Sequence, residues 1–277
     1  MSAAIPASVT PTAGRSTFRA ATDVHLSFAG VLQSEWIKLT TLRSTVWAYA
    51  IVVLLQIGMG AVLVLTIDSP AGASGVAGAE TLVLPATLGI ILNQLVVSVL
   101  GVLVITGEYG TGQIRSSLTA VPRRTPVLWA KALVFVVTTF VVGLVAVVAA
   151  AAVSWSMLAA RGAALDLSDG ELWGRLVGGA GYLALVGLVA FFLGAILRHT
   201  AAGLAAALGL LLVVPTVLSL IGAEWASVLA QWLPGSVGQT LFFGSSTFEP
   251  WQALLIMLGW IALFAAVAAV LLKRRDA

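Results

Sequence analysis

The side chains able to do chemistry in this 277-residue chain gather in one polar stretch, Ile105 to Arg124, which reads ITGEYGTGQIRSSLTAVPRR. It separates two long apolar segments. Gly107, Gly110 and Gly112 weaken the helix that arrives from the N-terminal side, and Pro122 and Pro126 stop any short helix beyond it. Glu108 and Tyr109 open the stretch at the expected membrane edge, and Arg115, Arg123 and Arg124 make it basic. Two chemistries suit such a segment. One is a solvated loop that keeps its cations on the cytoplasmic side. The other is docking, in which a short rigid element presents charged groups to a soluble partner. Glu108 would then sit at a helix N-terminus and pair with a basic group across the interface.

Catalytic chemistry fails on its own requirements. There is no Cys, hence no thiolate nucleophile, thiolate metal site or disulfide. His25 and His199 are too few and too far apart for an obvious metal site. A phosphate-binding loop needs Gly directly before Lys, and the three lysines follow Ile37, Ala130 and Leu272. Gly72-Ala73-Ser74-Gly75 looks like the GxSG of rhomboid proteases, but Ser74 falls on an outer loop and His199 on the opposite face. The two would stand about a bilayer thickness apart, beyond any nucleophile–base contact. Enzymatic activity is therefore not expected, nor a metal or cofactor held by this chain. Ion-coupled transport usually places carboxylates inside spans, and none is expected there. Gln56, Asn93, Gln94 and Ser98 are the buried polar candidates. They either line a pathway or, more commonly for such residues, hydrogen-bond a neighbouring helix.

The elements that must position these residues follow from composition. The chain is 60% hydrophobic and 9% charged, against about 25% charged in a soluble domain, so it is read as an integral membrane protein. Its net charge of +3 is no nucleic-acid signal, because the basic residues flank apolar runs. A hydrocarbon core needs about 20 apolar residues per helix. Thr45–Ile67, Leu82–Thr106, Ala132–Leu158, Leu176–Leu197, Ala201–Gly222 and Trp251–Leu272 satisfy that. With both termini on one side, that side collects twelve Lys and Arg and the other only Arg161 and Arg175, which places both termini in the cytoplasm of a bacterial plasma membrane. Residues 1–26 read as a disordered cytoplasmic tail with no cleavable signal, and 27–277 as a single domain. Within Ser27–Arg43, Phe28, Val31, Leu32, Trp36, Leu39 and Leu42 recur at helical spacing, with Glu35, Lys38 and Arg43 off that stripe. This predicts an amphipathic helix at the cytoplasmic surface, with Glu35, Trp36, Lys38 and Arg43 as candidate contacts to a partner. Trp225 to Leu233 predicts a short amphipathic helix on the outer side, and Pro215 a kink in the fifth span. The expected fold class is all-α: a polytopic membrane protein of six transmembrane helices behind an N-terminal amphipathic helix.

Two groups of residues resemble the permease subunits of type-2 ABC exporters, especially the actinobacterial kind. The first is Ser34-Glu35-Trp36-Ile37-Lys38-Leu39 with Leu42-Arg43-Ser44-Thr45 before the first span. The second is Thr106-Gly107-Glu108-Tyr109, Gly112, Ile114-Arg115, Leu118-Thr119, Pro122-Arg123-Arg124 and Lys131 after the second. The resemblance covers the chain after Ser27. It implies an export permease with no ATP site of its own, joined to a second permease as a homodimer or pseudo-dimer and to two cytoplasmic ATPase subunits, with membrane lipid around it. It implies that Glu108, Tyr109, Gly112, Arg115, Arg123 and Arg124 form the coupling element, that the first helix packs beside the ATPase, and that short re-entrant helices precede the last span. The alternatives are a non-transporting scaffold or resistance factor of the same fold, and a self-powered secondary carrier.

Overall fold

The computed structural model describes residues 27–66, 76–77, 80–111, 124–165, 168–244 and 247–274. The expected tail, residues 1–26, lies outside them, as do Gly112, Arg115 and Arg123. The described chain is helical apart from two paired dipeptides. Its elements are α1 (Phe28–Thr41), α2 (Arg43–Thr66), β1 (Val76–Ala77), α3 (Glu80–Thr87), α4 (Ile90–Thr111), α5 (Arg124–Ala160) and β2 (Ala164–Leu165), then α6 (Gly170–Leu197) and α7 (Thr200–Leu208). A π-helical turn (Gly209–Val213) leads into α8 (Val214–Ile221), followed by α9 (Glu224–Gln231), α10 (Pro234–Val237), α11 (Thr240–Phe243) and α12 (Pro250–Arg274). Six segments are long and apolar enough to cross a membrane: Arg43–Thr66, Thr81–Gly110, Pro126–Ala160, Gly170–Leu197, Thr200–Ile221 and Pro250–Leu272. They coincide with the expected spans to within a few residues at most ends. This is the architecture of a multi-pass membrane protein.

Helix α1 starts where Ser27 Oγ accepts the Gly30 N–H at 3.1 Å, meeting one donor that a helix start leaves unpaired. It ends at Leu42, whose extended backbone (φ −70°, ψ 116°) turns the chain into α2. Only part of the predicted stripe packs. Leu39 is buried and Leu32 partly so, whereas Phe28 and Trp36 are each 48% exposed and Glu35, off the stripe, is buried. The inward face of α1 carries charge, because opposite charges wait for it on α4 and α5.

Span two is broken, which its hydropathy concealed. Pro85 sits in α3, and the chain turns at Leu88–Gly89 before α4 begins. Pro85 has no N–H for the Thr81 carbonyl four residues earlier, and carbonyls freed at a break need donors from a neighbouring helix in lipid. Near the turn α2 supplies one: Gln56 Nε2 donates to the Ala86 carbonyl at 2.7 Å. A Cβ at Gly89 would stand 2.7 Å from the Gln56 Cα, so glycine lets α2 come close enough to reach. In span five Pro215 cannot donate to the Leu211 carbonyl four residues earlier, and the helix widens into the π turn directly before it.

Helix α6 is the axis. Over its most apolar window 72% of residues are buried, against 11% for span five and 22% for span six. The last two spans thus turn most of their surface outward. Around α6 pack α4, α5, α7, α11 and α12. Phe135, Tyr182, Phe191, Phe192 and Phe242 are fully buried there. The α4–α6 approach is backbone to backbone: a Cβ on Gly101 would collide with the Gly187 carbonyl oxygen. Small residues permit such contacts, which drive helix association where lipid is as apolar as the side chains. Where α2 ends, Arg161 Nη1 donates to the Val64 carbonyl at 2.7 Å, closing its last turn, while β1 and β2 pair in parallel.

Gly101→Ala should therefore lower the thermal stability of the purified protein by about 1–3 kcal/mol, the usual range for overpacking. Gly58→Ala, whose Cβ would meet nothing within 4 Å, should leave it unchanged or raise it by up to about 1 kcal/mol. Equal effects of the two in a detergent melting series would contradict the close α4–α6 approach.

Candidate functional site

Four charged side chains from three helices meet at the end of the bundle where α4 finishes and α5 begins. Glu35 and Lys38, three apart on α1, lie on one face. Glu108 lies in the last turn of α4. Lys131 is about two turns into α5, in the middle of a buried stripe formed by Val127, Leu128, Val134, Phe135 and Thr138.

Each lysine bridges both carboxylates. Lys38 Nζ lies 2.7 Å from Glu35 Oε1 and 3.3 Å from Glu108 Oε1. Lys131 Nζ binds Glu35 Oε2 and lies 2.8 Å from Glu108 Oε1. Glu35, Lys131 and Glu108 are only 4%, 4% and 8% exposed. Burying charge is costly, and a lone member would be strongly destabilising, but the four cancel formally and hydrogen-bond one another. Burial by itself would raise the Glu35 carboxyl; the neighbouring Lys131 and Lys38 outweigh that and hold it below the ordinary carboxylate range. Burial would likewise lower the Lys38 ammonium, yet Glu35 and Glu108 lift it above the usual lysine value. One oxygen, Glu108 Oε2, is buried with no hydrogen-bond partner among the described residues.

The next residue ties the other half of the bundle. The Arg198 guanidinium lies 5.3 Å from the centre of the Tyr109 ring, within cation–π range. Arg198 Nη2 also donates to the Leu271 carbonyl of α12 at 3.3 Å. Arg198 is the C-cap of α6 in the left-handed region (φ 54°), the only such non-glycine among the described residues. His199 Nδ1 then accepts the Ala202 N–H and starts α7. This turn is the tight hairpin expected between spans four and five, and Thr200 Oγ1 meets Thr106 Oγ1 at 3.0 Å. The final turn of α4 is thus held by Glu108 to α1 and α5, and by Tyr109 to the α6–α7 turn and, through Arg198, to α12.

The structure unites candidates that the sequence had placed in separate sets. Glu35 and Lys38 were expected off the packed face of α1, available to a partner, and Glu108 was expected at the membrane edge for the same use. All three are instead engaged with one another inside the chain. The spans also run past their expected limits. Glu108 falls within Thr81–Gly110 and Lys131 within Pro126–Ala160, because a paired charge can extend a buried helix where a lone one cannot. Lys131 was not among the candidate site residues. Its signal was its place at the centre of the apolar stripe of α5, where an unpaired cation would be untenable. Trp36 and Arg43 stay exposed. Arg124 opens α5.

The four buried polar candidates sit between helices. Asn93 Nδ2 donates to Gln56 Oε1 at 2.6 Å and to the Val52 carbonyl at 3.0 Å. Ser98 Oγ donates to the Gln94 carbonyl, and the Tyr182 hydroxyl donates to Gln94 Oε1. All four are at most 2% exposed. Gln56 and Asn93 join α2 to the broken span and Gln94 joins α4 to α6, while Ser98 bonds within α4. Among the described residues no three of His, Asp and Glu gather as a metal would require. No protein-family model matches the sequence, and no curated protein matches it.

Lys131→Met should destabilise the protein by about 3–5 kcal/mol, the range for breaking a buried pair. Adding Glu35→Gln should recover much of that loss, since Lys38 still meets Glu108. A double-mutant cycle on detergent-solubilised protein measures the coupling, and additive losses would contradict the shared network.

The pH dependence has a defined sign. A lowered Glu35 stabilises fully above its unfolded value of roughly 4.3, and that stability is lost as pH falls through the lower folded value. A raised Lys38 stabilises fully below roughly 10.4, lost as pH rises through its higher folded value. Facing these groups are Glu108 and Lys131. Melting temperatures should fall at both extremes, and the acid limb should shrink in the Lys131→Met/Glu35→Gln protein.

Proposed function

We propose that this chain is the membrane-spanning permease subunit of an ATP-driven exporter, and that ATP is bound and hydrolysed by separate cytoplasmic subunits. In this reading two such permeases assemble with two ATPases in the plasma membrane, both termini of each permease facing the cytoplasm. The segment Gly112–Arg123 receives the ATPase, together with the exposed Trp36 and Arg43 of the neighbouring α1–α2 elbow.

One observation carries the reading. The turn of helix that leads into the polar stretch is tied to four other parts of the bundle at once, through Glu108 to α1 and α5 and through Tyr109 and Arg198 to the α6–α7 turn and α12. A loop whose only task is to keep cations in water has no need of such a root. A loop that transmits a push does, because force applied to it must move several helices together rather than bend one. The twelve-to-two distribution of Lys and Arg supports a cytoplasmic position for that end. The lack of a Gly-Lys phosphate loop supports a separate energy source. Glu108 belongs in this account to the root and not to the contact surface, so Arg115 and Arg123 are the better probes of docking.

The test is co-purification from cells that produce the chain at native level. A soluble ATPase with Walker motifs should accompany the wild-type protein, and reconstituted vesicles should hydrolyse ATP only when both are present. Arg115→Ala should weaken the association by about 30-fold or more, the lower end for losing one partner of a desolvated interfacial charge pair. Its melting temperature should stay at the wild-type value. ATP hydrolysis by the purified chain alone, or full association of the Arg115→Ala and Arg123→Ala proteins, would overturn the assignment.

A further inference from the structure

Where span two breaks, the backbone leaves bonds unmade. In a continuous helix the Gly89, Ile90 and Ile91 N–H groups would meet the Pro85, Ala86 and Thr87 carbonyls. Across the Leu88–Gly89 turn none of these bonds forms, and the Ile91 N–H turns instead to the Leu88 carbonyl at 3.3 Å. Pro85, Ala86, Thr87, Gly89 and Ile90 are all buried, where an unmade backbone bond is costly. The bend is therefore not what this backbone would adopt by itself.

It is held from α2. Gln56 Nε2 occupies the Ala86 carbonyl at 2.7 Å. Helix α2 nests in the bend at two glycines: a Cβ on Gly60 would stand 2.6 Å from the Pro85 carbonyl oxygen, and one on Gly89 would stand 2.7 Å from the Gln56 Cα. Within α3, Thr87 Oγ1 donates back to the Val83 carbonyl at 2.7 Å, a bond that favours a bent helix.

Gln56 has a second place to go. Asn93 Nδ2 donates to Gln56 Oε1 at 2.6 Å, while Asn93 Oδ1 is buried and meets no donor among the described residues. Two primary amides can pair through two reciprocal bonds, since each carries both donors and an acceptor. This pair makes one, because the Gln56 nitrogen is engaged by Ala86. With that nitrogen turned to Asn93 Oδ1, the Ala86 carbonyl would be released to the Ile90 N–H. The Gly89 N–H would reach Pro85 as the two half-helices joined.

We propose that span two is a two-state joint, bent while Gln56 holds the Ala86 carbonyl and straight when Gln56 pairs fully with Asn93. The bent state keeps the contacts between helices, and the straight state recovers the backbone bonds and the orphaned Asn93 oxygen. Pro85 keeps the straight state from prevailing outright, because it offers the Thr81 carbonyl no N–H and crowds the preceding turn. Straightening moves α3 against α5 and α6, on which it packs, while α4 and its charged root stay in place. The inference concerns span two alone and does not require that the chain export anything.

The experiment measures distances by double electron–electron resonance on the full-length chain in lipid nanodiscs. The native chain has no Cys, so labels go only where a Cys is introduced. One stands at Thr81 on α3, and its partner at Leu255 of α12 or, in a second sample, at Leu220 of α8, both exposed. Thr81 lies about 12 Å along the helix from Gly89, so a kink of over about 20° displaces it by about 4 Å. At least one reference should report two distances about that far apart in the wild-type protein. Gln56→Leu removes the donor that holds the bend, and Pro85→Ala restores the N–H for Thr81; both should leave the same single distance. Asn93→Leu removes the second place of Gln56 and should leave the other. If Gln56→Leu does not fold, Pro85→Ala stands for it. If Asn93→Leu does not fold, the loss of one wild-type distance in Pro85→Ala decides. One distance shared by the wild type and every folded variant would overturn the joint. So would a shift in the same direction by Gln56→Leu and Asn93→Leu, which is what two merely structural residues would give.

Discussion

Two carboxylates and the Lys131 ammonium, buried where water is scarce and joined by the partly exposed Lys38, must neutralise one another, and that need governs the end of the molecule where they meet. Glu35 cannot leave Lys131 without exposing a buried cation, and Glu108 is bound by the same condition. The cost of separating them helps to hold α1 against the spans, beside the buried Leu39 and the partly buried Leu32. It also lets α4 continue as helix through Gly107 and Gly110, residues that would otherwise favour its ending at Thr106. The stability of this corner comes less from attraction in the abstract than from the penalty on any arrangement that leaves one member alone.

The opposite end is held by different means. There the contacts are backbone against backbone. Gly178 lies against the Leu241 carbonyl and Gly235 against that of Leu211, each so close that a Cβ would collide. The short helices α9 to α11 bring the Gly235 carbonyl within 3.3 Å of the Tyr182 hydroxyl, which also meets Gln94. One end of the bundle is thus fastened by charge and the other by the absence of side chains. The first depends on protonation, and the second on the size of single residues.

What was legible in the sequence divides along the same line. The six spans were legible because a bilayer sets a length and a hydropathy that a chain cannot disguise. Pro215 marked the irregularity in span five, since a proline always removes a donor. Pro85 was not recognised as the mark of a broken span, because the residues around it are as apolar as a straight helix. The donors that heal the break come from Gln56, thirty residues earlier, and no local pattern couples the two. Among the candidate residues, Gln56 and Asn93 were legible as polar positions in apolar runs, and the structure pairs them. Helix α1 was legible in part: Leu32 and Leu39 of its stripe pack, but the burial of Glu35 was not foreseen, because it depends on an opposite charge, Lys131, that lies on α5.

The central position of α6 has a consequence for how the protein is made. Residues emerge from the ribosome in order, and earlier parts organise first. Gln56 and Asn93 can satisfy each other once two spans have been inserted, and Glu35, Lys38 and Glu108 find Lys131 once the third arrives. Gly101 and Gln94 must wait, because Gly187 and Tyr182 belong to the fourth. Until then three inserted helices surround an axis that does not yet exist, and their small-residue faces meet lipid or one another. Biosynthesis therefore passes through a stage in which the polar corner is complete while the core is open, and the emergence of one segment, Gly170–Leu197, supplies the axis on which the later helices α7, α11 and α12 close.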